Sequence, residues 1–420
     1  MSRSGTRGDP FRVKSGRGKA GGRVYSVDRW VLRTFLHAMG DPPIFAALWD
    51  GKDVVRAGAA TGVGMVIHDR ATLWRLVTNP LLNFGDDYSA GRIEVAGGMV
   101  AFMAAIYRVM GGGARRFQRT VYHRKHPDRN SLSGSRSNIH HHYDIGNDFY
   151  RLWLDREMLY TCAYFPHPGA TLEDAQIAKM DLVCRKLRLK AGQTVVEAGC
   201  GWGALARYMA GHYGVTVRAY NISREQIVYA RERAKVDGLS GLVDYVEDDY
   251  RTIRGRFDAF VSVGMLEHVG PAHYRELGRV IDRCLEEQGL GLIHSIGQNV
   301  PDPMSPWLLK RIFPGSYPPT LREMMDVFEP SGFSVLDVEN LRLHYAKTLE
   351  HWLERFEENR ERIEAMFDTA FVRAWRLYLS AAIANFTVGK LQLFQVVFAR
   401  SDNNRIPWTR SHLADARGDA

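Results

Sequence analysis

The chain has 420 residues, of which 45% are hydrophobic and 25% charged, and a formal net charge of +9. That length accommodates two or three domains with cores of their own, and the composition is that of a globular protein rather than a membrane-spanning or disulfide-stapled one. The longest apolar run, GMVAFMAAIY, is too short to cross a bilayer, so any membrane contact is expected to be peripheral.

The charge is uneven. Residues 1–140 carry 22 Lys/Arg against 10 Asp/Glu, a balance of +12, whereas residues 141–420 carry 34 against 37, a balance of −3. A basic front end suits an anionic partner, nucleic acid or an acidic lipid surface, or serves only as a solvated tail. The four cysteines, Cys162, Cys184, Cys200 and Cys284, show neither CxxC nor zinc spacing. They are expected to be reduced thiols in a cytosolic compartment, and the polar N-terminus is expected to hold no signal peptide.

In chain order, residues 1–27 are rich in Gly, Arg and Ser and are expected to form a disordered basic arm. Residues 28–112 form a small accessory domain, with a helical pattern at 29–39 and mixed segments such as GVGMVIH. Residues 113–140 are glycine-rich, then basic, and are expected to be a linker. From 141 to about 405 strands alternate with helices, and 406–420 is expected to be a flexible tail. TVVEAG (194–199) is a buried strand. GALARYMAGHYG is a helix with Leu205, Tyr208, Met209 and His212 on one face. VTVRAYN, VDYVEDD, FDAFVSVGML and LGLIHSIG are the next four strands. PAHYRELGRVIDRCLEEQG reads as a helix opened by proline and closed by Gly289. FSVLDVEN and LQLFQVVFAR are the last strands, separated by a long helical region, 346–386. This alternation predicts a doubly wound α/β sheet with ligands at the carboxyl ends of its strands.

The first strand runs into EAGCGWG, that is Glu197, Gly199, Gly201 and Gly203. The dinucleotide fingerprint would put its third glycine at position 204, which is alanine. The ExGxGxG form is similar to the S-adenosylmethionine loop of class I methyltransferases, which implies that Glu197 helps to hold the cationic methionine end. The second strand ends in Asn221 and Ser223, with Gln226 one turn on, where many such folds place an acid for the ribose. Asp249 and Tyr250, after the third strand, are placed to meet the adenine.

Glu267 follows the fourth strand, His294 ends the fifth, and Tyr345 follows the sixth, all on one rim. Cys162 lies in EMLYTCAYF, and on residue type alone it reads as core, as nucleophile or as ligand contact. The blocks HYDIGNDFYRLWLD, YTCAYF, EAGCGWG, SVGMLEHVG, IFPGSYPP and HYAKTLEHWLERF run in order over about 140–400. They resemble cyclopropane-fatty-acyl-phospholipid synthases, and PLLNFGDDYSAGRIEVAGG resembles that family's accessory domain.

The resemblance implies a class I methyltransferase-like sheet with a helical lid, and S-adenosylmethionine contacts that include Tyr160 and Thr161. It implies a bicarbonate held by Cys162, Glu267, His294 and Tyr345 and by the backbone at Ile296, so that Cys162 is a ligand-holding thiol. The implied activity is methylene transfer to the cis double bond of an unsaturated phospholipid acyl chain. The implied context is a homodimer in the cytoplasm, associated with an anionic inner-membrane surface and not with nucleic acid. Tyr164 and Phe165 are candidates to shield a carbocation. Two positions depart from the family's habit, Thr161 in place of serine and Glu197 in place of aspartate. The rival readings are a methylene-branched product, a small soluble methyl acceptor, and a lipid-binding protein without activity.

Overall fold

The structure is a computed structural model in which residues 22–56, 62–110 and 145–413 are described. The arm up to residue 21, the expected linker at 113–140 and the last seven residues of the tail lie outside them. The described residues form two compact units. The first holds the chain up to residue 110, Met304–Phe313 and Leu349–Lys390; the second holds 145–303, Pro314–Thr348 and 391–413.

The first unit opens with α1 (Ser26–Ala38), β1 (Phe45–Ala47), β2 (Asp53–Arg56), β3 (Gly64–Ile67), α2 (Arg70–Thr78), α3 (Pro80–Ser89), β4 (Ile93–Ala96) and α4 (Met99–Val109). Its sheet has the order β2-β1-β3-β4. The apolar run becomes α4, which buries Phe102, Met103 and Ile106. The FGDDYS block of α3 is a fastening point for later segments. Asp86 accepts two hydrogen bonds from Arg311, both at 3.0 Å. Arg373 donates to the carbonyls of Tyr88 and Ile93 and lies over the Tyr88 ring. Gly85 sits under Trp307, where a Cβ would come within 2.5 Å of the indole.

The second unit contains β5 (Thr194–Ala198), β6 (Thr216–Asn221), β7 (Val243–Glu247), β8 (Phe257–Val263), β9 (Leu285–Gln298), β10 (Phe333–Asn340) and β11 (Leu391–Arg400). The order is β10-β11-β9-β8-β5-β6-β7. The pairs from β7 to β9 are parallel, and β11 and β10 close the edge antiparallel. Alternate residues feed the two faces: Val195, Val261 and Leu292 join one core cluster, Val196, Phe260 and Ile293 the other. Both faces are covered, so the expected doubly wound α/β architecture is the one observed.

Local details differ from the sequence reading. The helix expected to end at Gly289 ends at Cys284, and β9 starts at Leu285. Gly289 is there for space: a Cβ would meet the Leu285 side chain at 2.6 Å and the Asp258 carbonyl at 2.9 Å, beside an irregularity in the β8–β9 register. His212, expected on the buried face of its helix, is exposed, while Leu205, Tyr208 and Met209 are buried. The region 346–386 is three helices, Arg342–Glu358, Arg360–Met366 and Thr369–Thr387. Asp368 caps the third by accepting from the Phe371 amide at 2.7 Å.

Candidate active site

The chain runs from β5 out through β6 to β7 and then returns to β8 on the other side of β5. Loops after β5 and β8 therefore diverge and leave a crevice at the carboxyl ends of the strands. A cleft of about 800 Å³, open mouth included, occupies it. Seven of the residues expected to bind the cofactor line it: Tyr160, Thr161, Glu197, Gly199, Gly201, Asn221 and Gln226. Gly203 starts the following helix at φ +80°, and a Cβ there would lie 2.5 Å from Tyr245 Oη and 2.7 Å from Ala230 Cβ. Tyr245 Oη donates to the Gly203 carbonyl at 2.8 Å, which pins the turn. Asn221 Nδ2 donates to the Gly201 carbonyl and to Gln226 Oε1.

Two of the expected cofactor residues have other work nearby, and a third lies beside them. Ser223 caps the helix Arg224–Val236, its hydroxyl accepting from the Gln226 amide at 3.4 Å. Asp249 is engaged by Arg251, which donates to both its carboxylate oxygens at 2.7 and 2.8 Å. Tyr250 is buried beside them, its hydroxyl without a partner among the described residues. Small polar residues at strand ends serve caps and turns as readily as ligands, and their spacing does not separate the two uses.

The cleft also holds groups that spacing did not reveal. Lys179 is fully buried and donates to Thr161 Oγ1 at 2.9 Å. Burial pulls it down to about 8, against the attraction of Asp155 and Glu197. Its signal was available: it occupies the middle one of the positions Ala175, Lys179 and Val183, spaced four apart on a buried face. Glu197 is buried, with Oε2 unpartnered among the described residues. Burial raises it to about 8, opposed by Lys179 and Arg207. A buried carboxyl with an unpartnered oxygen, lining a cleft, fits the cationic end of S-adenosylmethionine. The HYDIGNDFYRLWLD block braces the loop from behind: Asn147 Oδ1 accepts from Trp202 Nε1 at 2.7 Å, and the Tyr150 ring packs on Trp202 and Tyr160.

A chain of largely backbone contacts links the segments that carry the four rim residues. Cys162 Sγ donates to the Ala163 carbonyl at 3.1 Å and lies 4.0 Å from the Leu341 carbonyl. The Leu341 amide donates to the Leu393 carbonyl, and Leu393 lies opposite Ile296 in the sheet. The Ile296 amide donates to Glu267 Oε1 at 2.6 Å. Tyr345 is buried one turn beyond Leu341, to whose carbonyl its amide donates. His294 is on β9, and its carbonyl accepts from Gly264, whose Cβ position would touch Thr161. The Ile296 amide thus positions Glu267.

Two buried atoms in this group have no partner among the described residues, Glu267 Oε2 and His294 Nε2. Burial raises Glu267 to about 7 and holds His294 well below the ordinary histidine value. Burial likewise pushes the Cys162 thiol far up, which removes the thiolate a nucleophile needs. Residues 314–320 buttress the Glu267 turn: the Tyr317 amide donates to the Glu267 carbonyl at 2.8 Å, and Ser316 Oγ is 3.0 Å from His268 Nδ1. Tyr164 stacks on His344 with ring centroids 4.8 Å apart, and Phe165 lies against Lys347. Neither ring lines the cleft, whose aromatic walls are Tyr160 and Trp202.

The sequence pattern of the mycolic acid cyclopropane synthetase family matches residues 130–396. The chain belongs to this family. Cyclopropane-fatty-acyl-phospholipid synthase of Escherichia coli K12 is 42% identical over 264 residues, 63% of this chain and 68% of that protein. A probable fatty acid methyltransferase of Pseudomonas putida is 34% identical over 383 residues, 88% of this chain and 96% of that protein. Among solved structures, the cyclopropane synthase MmaA2 of Mycobacterium tuberculosis superposes with a TM-score of 0.60 at 29% identity, over 63% of this chain and 98% of its own. Mycolic acid cyclopropane synthase CmaA1, complexed with SAH and CTAB, gives a TM-score of 0.60 at 30% identity, over 63% and 97%. As a mycolic acid cyclopropane synthetase family member, the protein is an S-adenosylmethionine-dependent methyltransferase of the cyclopropane-synthase type.

Proposed function

We propose that this protein converts the cis double bond of an unsaturated phospholipid acyl chain into a cyclopropane, with a bicarbonate ion as base. The observation that carries the reading is the pair of unpartnered buried atoms on the rim, one acceptor and one donor, Glu267 Oε2 and His294 Nε2. A buried pair of this kind calls for a small ligand with both a proton and lone pairs.

S-adenosylmethionine supplies an electrophilic methyl group. Glu197 and Lys179 tune the charge at one end of the cleft, and the loop from Gly199 to Gly203 brings backbone close to the ligand. The acceptor, a cis alkene, is neutral, and its alkylation leaves a carbocation on the acyl chain. Ring closure then requires loss of a proton from the newly added methyl group. Glu267, His294, Tyr345 and Cys162 would hold the bicarbonate that provides the base. Glu267 would accept a hydrogen bond from it at Oε2, His294 would donate one at Nε2, and the buried Cys162 thiol would be a weak donor. All four side chains are buried, which keeps water from the cation.

The basic front third, at +12 over residues 1–140, supports approach to an anionic membrane surface, each charge contributing about 1 kcal/mol. Among the described residues no helix is long and apolar enough to cross a membrane. A second reading keeps the site but loses a different proton, giving an open, methylene-branched chain. The name of the Pseudomonas relative, a probable fatty acid methyltransferase, favours it.

Mass spectrometry of lipids from a host that makes unsaturated chains separates the readings. Gain of one methylene with loss of the double bond is the ring; the same gain with a double bond retained is the branch. Turnover of the purified protein should also fall when bicarbonate is removed, and turnover indifferent to bicarbonate would remove it as the base.

A further inference from the structure

Behind the rim, strand register sets three polar side chains in a row. His294 on β9 lies directly opposite Gln395 on β11, and Gln395 lies opposite Glu339 on β10. Direct cross-strand partners share a face of the sheet. Lys186, the last residue of the helix Leu172–Lys186, joins the row. Its Nζ donates to Gln395 Oε1 at 2.7 Å and to Glu339 Oε2 at 2.5 Å. Gln395 Nε2 is 3.0 Å from His294 Nδ1. Lys186, Gln395 and His294 are buried at 2%, 0% and 2% exposure, so water does not blur these bonds.

The donor and acceptor inventory leaves one solution. A lysine ammonium has protons and no lone pair, so the Gln395 atom facing it is the oxygen. The amide nitrogen therefore faces His294. That nitrogen only donates, so the ring atom it meets, Nδ1, carries no proton. The ring is neutral, because burial and the nearby Lys179 and Lys186 disfavour its charged form. Its single proton sits on Nε2, the atom left unpartnered.

We propose that Lys186 and Gln395 are positioning residues that lock neutral His294 as an Nε2–H donor toward the reaction site. This rests on the reading of His294 as a donor to a bound anion. In the other tautomer a lone pair would face the anion and repel it.

The test reads the tautomer directly, by nuclear magnetic resonance of the full chain carrying isotope-labelled histidine, with the His294 signal assigned by its loss in His294→Asn. The wild type is expected to show a protonated Nε2 and a bare Nδ1. Gln395→Glu presents a carboxylate to both neighbours, so the proton should move to Nδ1. kcat should then drop by about tenfold or more, with KM for S-adenosylmethionine unchanged. Lys186→Met frees the amide to rotate and should give a mixture of tautomers.

A wild-type signal with the proton on Nδ1 overturns the proposal and needs no variant to fold. A Lys186→Met spectrum identical to wild type removes Lys186 from the device. An inverted tautomer in Gln395→Glu with full kcat removes its role in turnover. Turnover indifferent to bicarbonate alongside the expected tautomer would sink the anion reading alone and leave the donor assignment standing.

Discussion

Glu267→Gln separates the charge of this carboxylate from its shape. The amide oxygen keeps the bond from the Ile296 amide, now 2.6 Å long. The other oxygen, a buried acceptor without a partner among the described residues, becomes a donor. Loss of one charged hydrogen bond is worth about 1.5–3 kcal/mol, so kcat/KM for the lipid should fall about ten- to hundredfold. The loss should not appear in affinity for S-adenosylmethionine, because Glu267 does not line the cleft.

Stability should move the other way. Burial raises Glu267 from its ordinary 4.5 to about 7. The wild type therefore bears no penalty below about pH 4.5 and the full penalty, about 3 kcal/mol, once the pH passes 7. The variant does not titrate there, so its stability relative to wild type should improve between about pH 5 and about pH 8. Turnover on unsaturated phospholipid vesicles, calorimetry with S-adenosylmethionine and thermal unfolding at the two pH values measure all three. A variant with wild-type kcat/KM, or one whose whole loss lies in cofactor affinity, would refute the role given to Oε2.

Other outcomes follow from the same geometry. Glu197 is raised to about 8 by burial, yet it must be ionised to attract a cation. Affinity for S-adenosylmethionine should thus rise with pH by up to about tenfold per unit, level off above about 8, and release a proton detectable by calorimetry in buffers of different ionisation heat. Glu197→Gln should bind with flat pH dependence. Gly203→Ala forces a Cβ to within 2.5 Å of Tyr245 Oη at a positive φ. Strain of about 1–3 kcal/mol should weaken cofactor binding by about tenfold and lower the melting temperature. Because burial keeps the Cys162 thiol protonated, iodoacetamide should leave the folded protein active, and Cys162→Ala should retain kcat within about tenfold of wild type. Rapid inactivation by alkylation would restore the nucleophile reading.

The strands and the glycine loop were legible because their signals are local: alternation, a buried run before ExGxGxG, a helix after it. The motif blocks pointed to Cys162, Glu267, His294 and Tyr345 without any knowledge of their neighbours. Lys179 was legible only as a lysine on a buried helix face, and Lys186 and Gln395 were not legible at all. Each is an ordinary polar residue whose meaning comes from a partner more than 15 residues away, and only the fold supplies it. Ser223 and Asp249 also serve as a local helix cap and an ion-pair partner, uses that their spacing did not announce. Gly289 looked like a helix stop because close approach and left-handed turning select the same residue.

The fastening of α3 has a temporal consequence. Asp86 waits for Arg311, 225 residues on, and the Tyr88 carbonyl for Arg373, 285 residues on. At ribosomal rates those intervals span about 10–60 s, during which this acidic stretch has emerged without its arginines. The amino-terminal third therefore matures late although it is made early, and a fragment comprising it alone should be prone to aggregation where the whole chain is not.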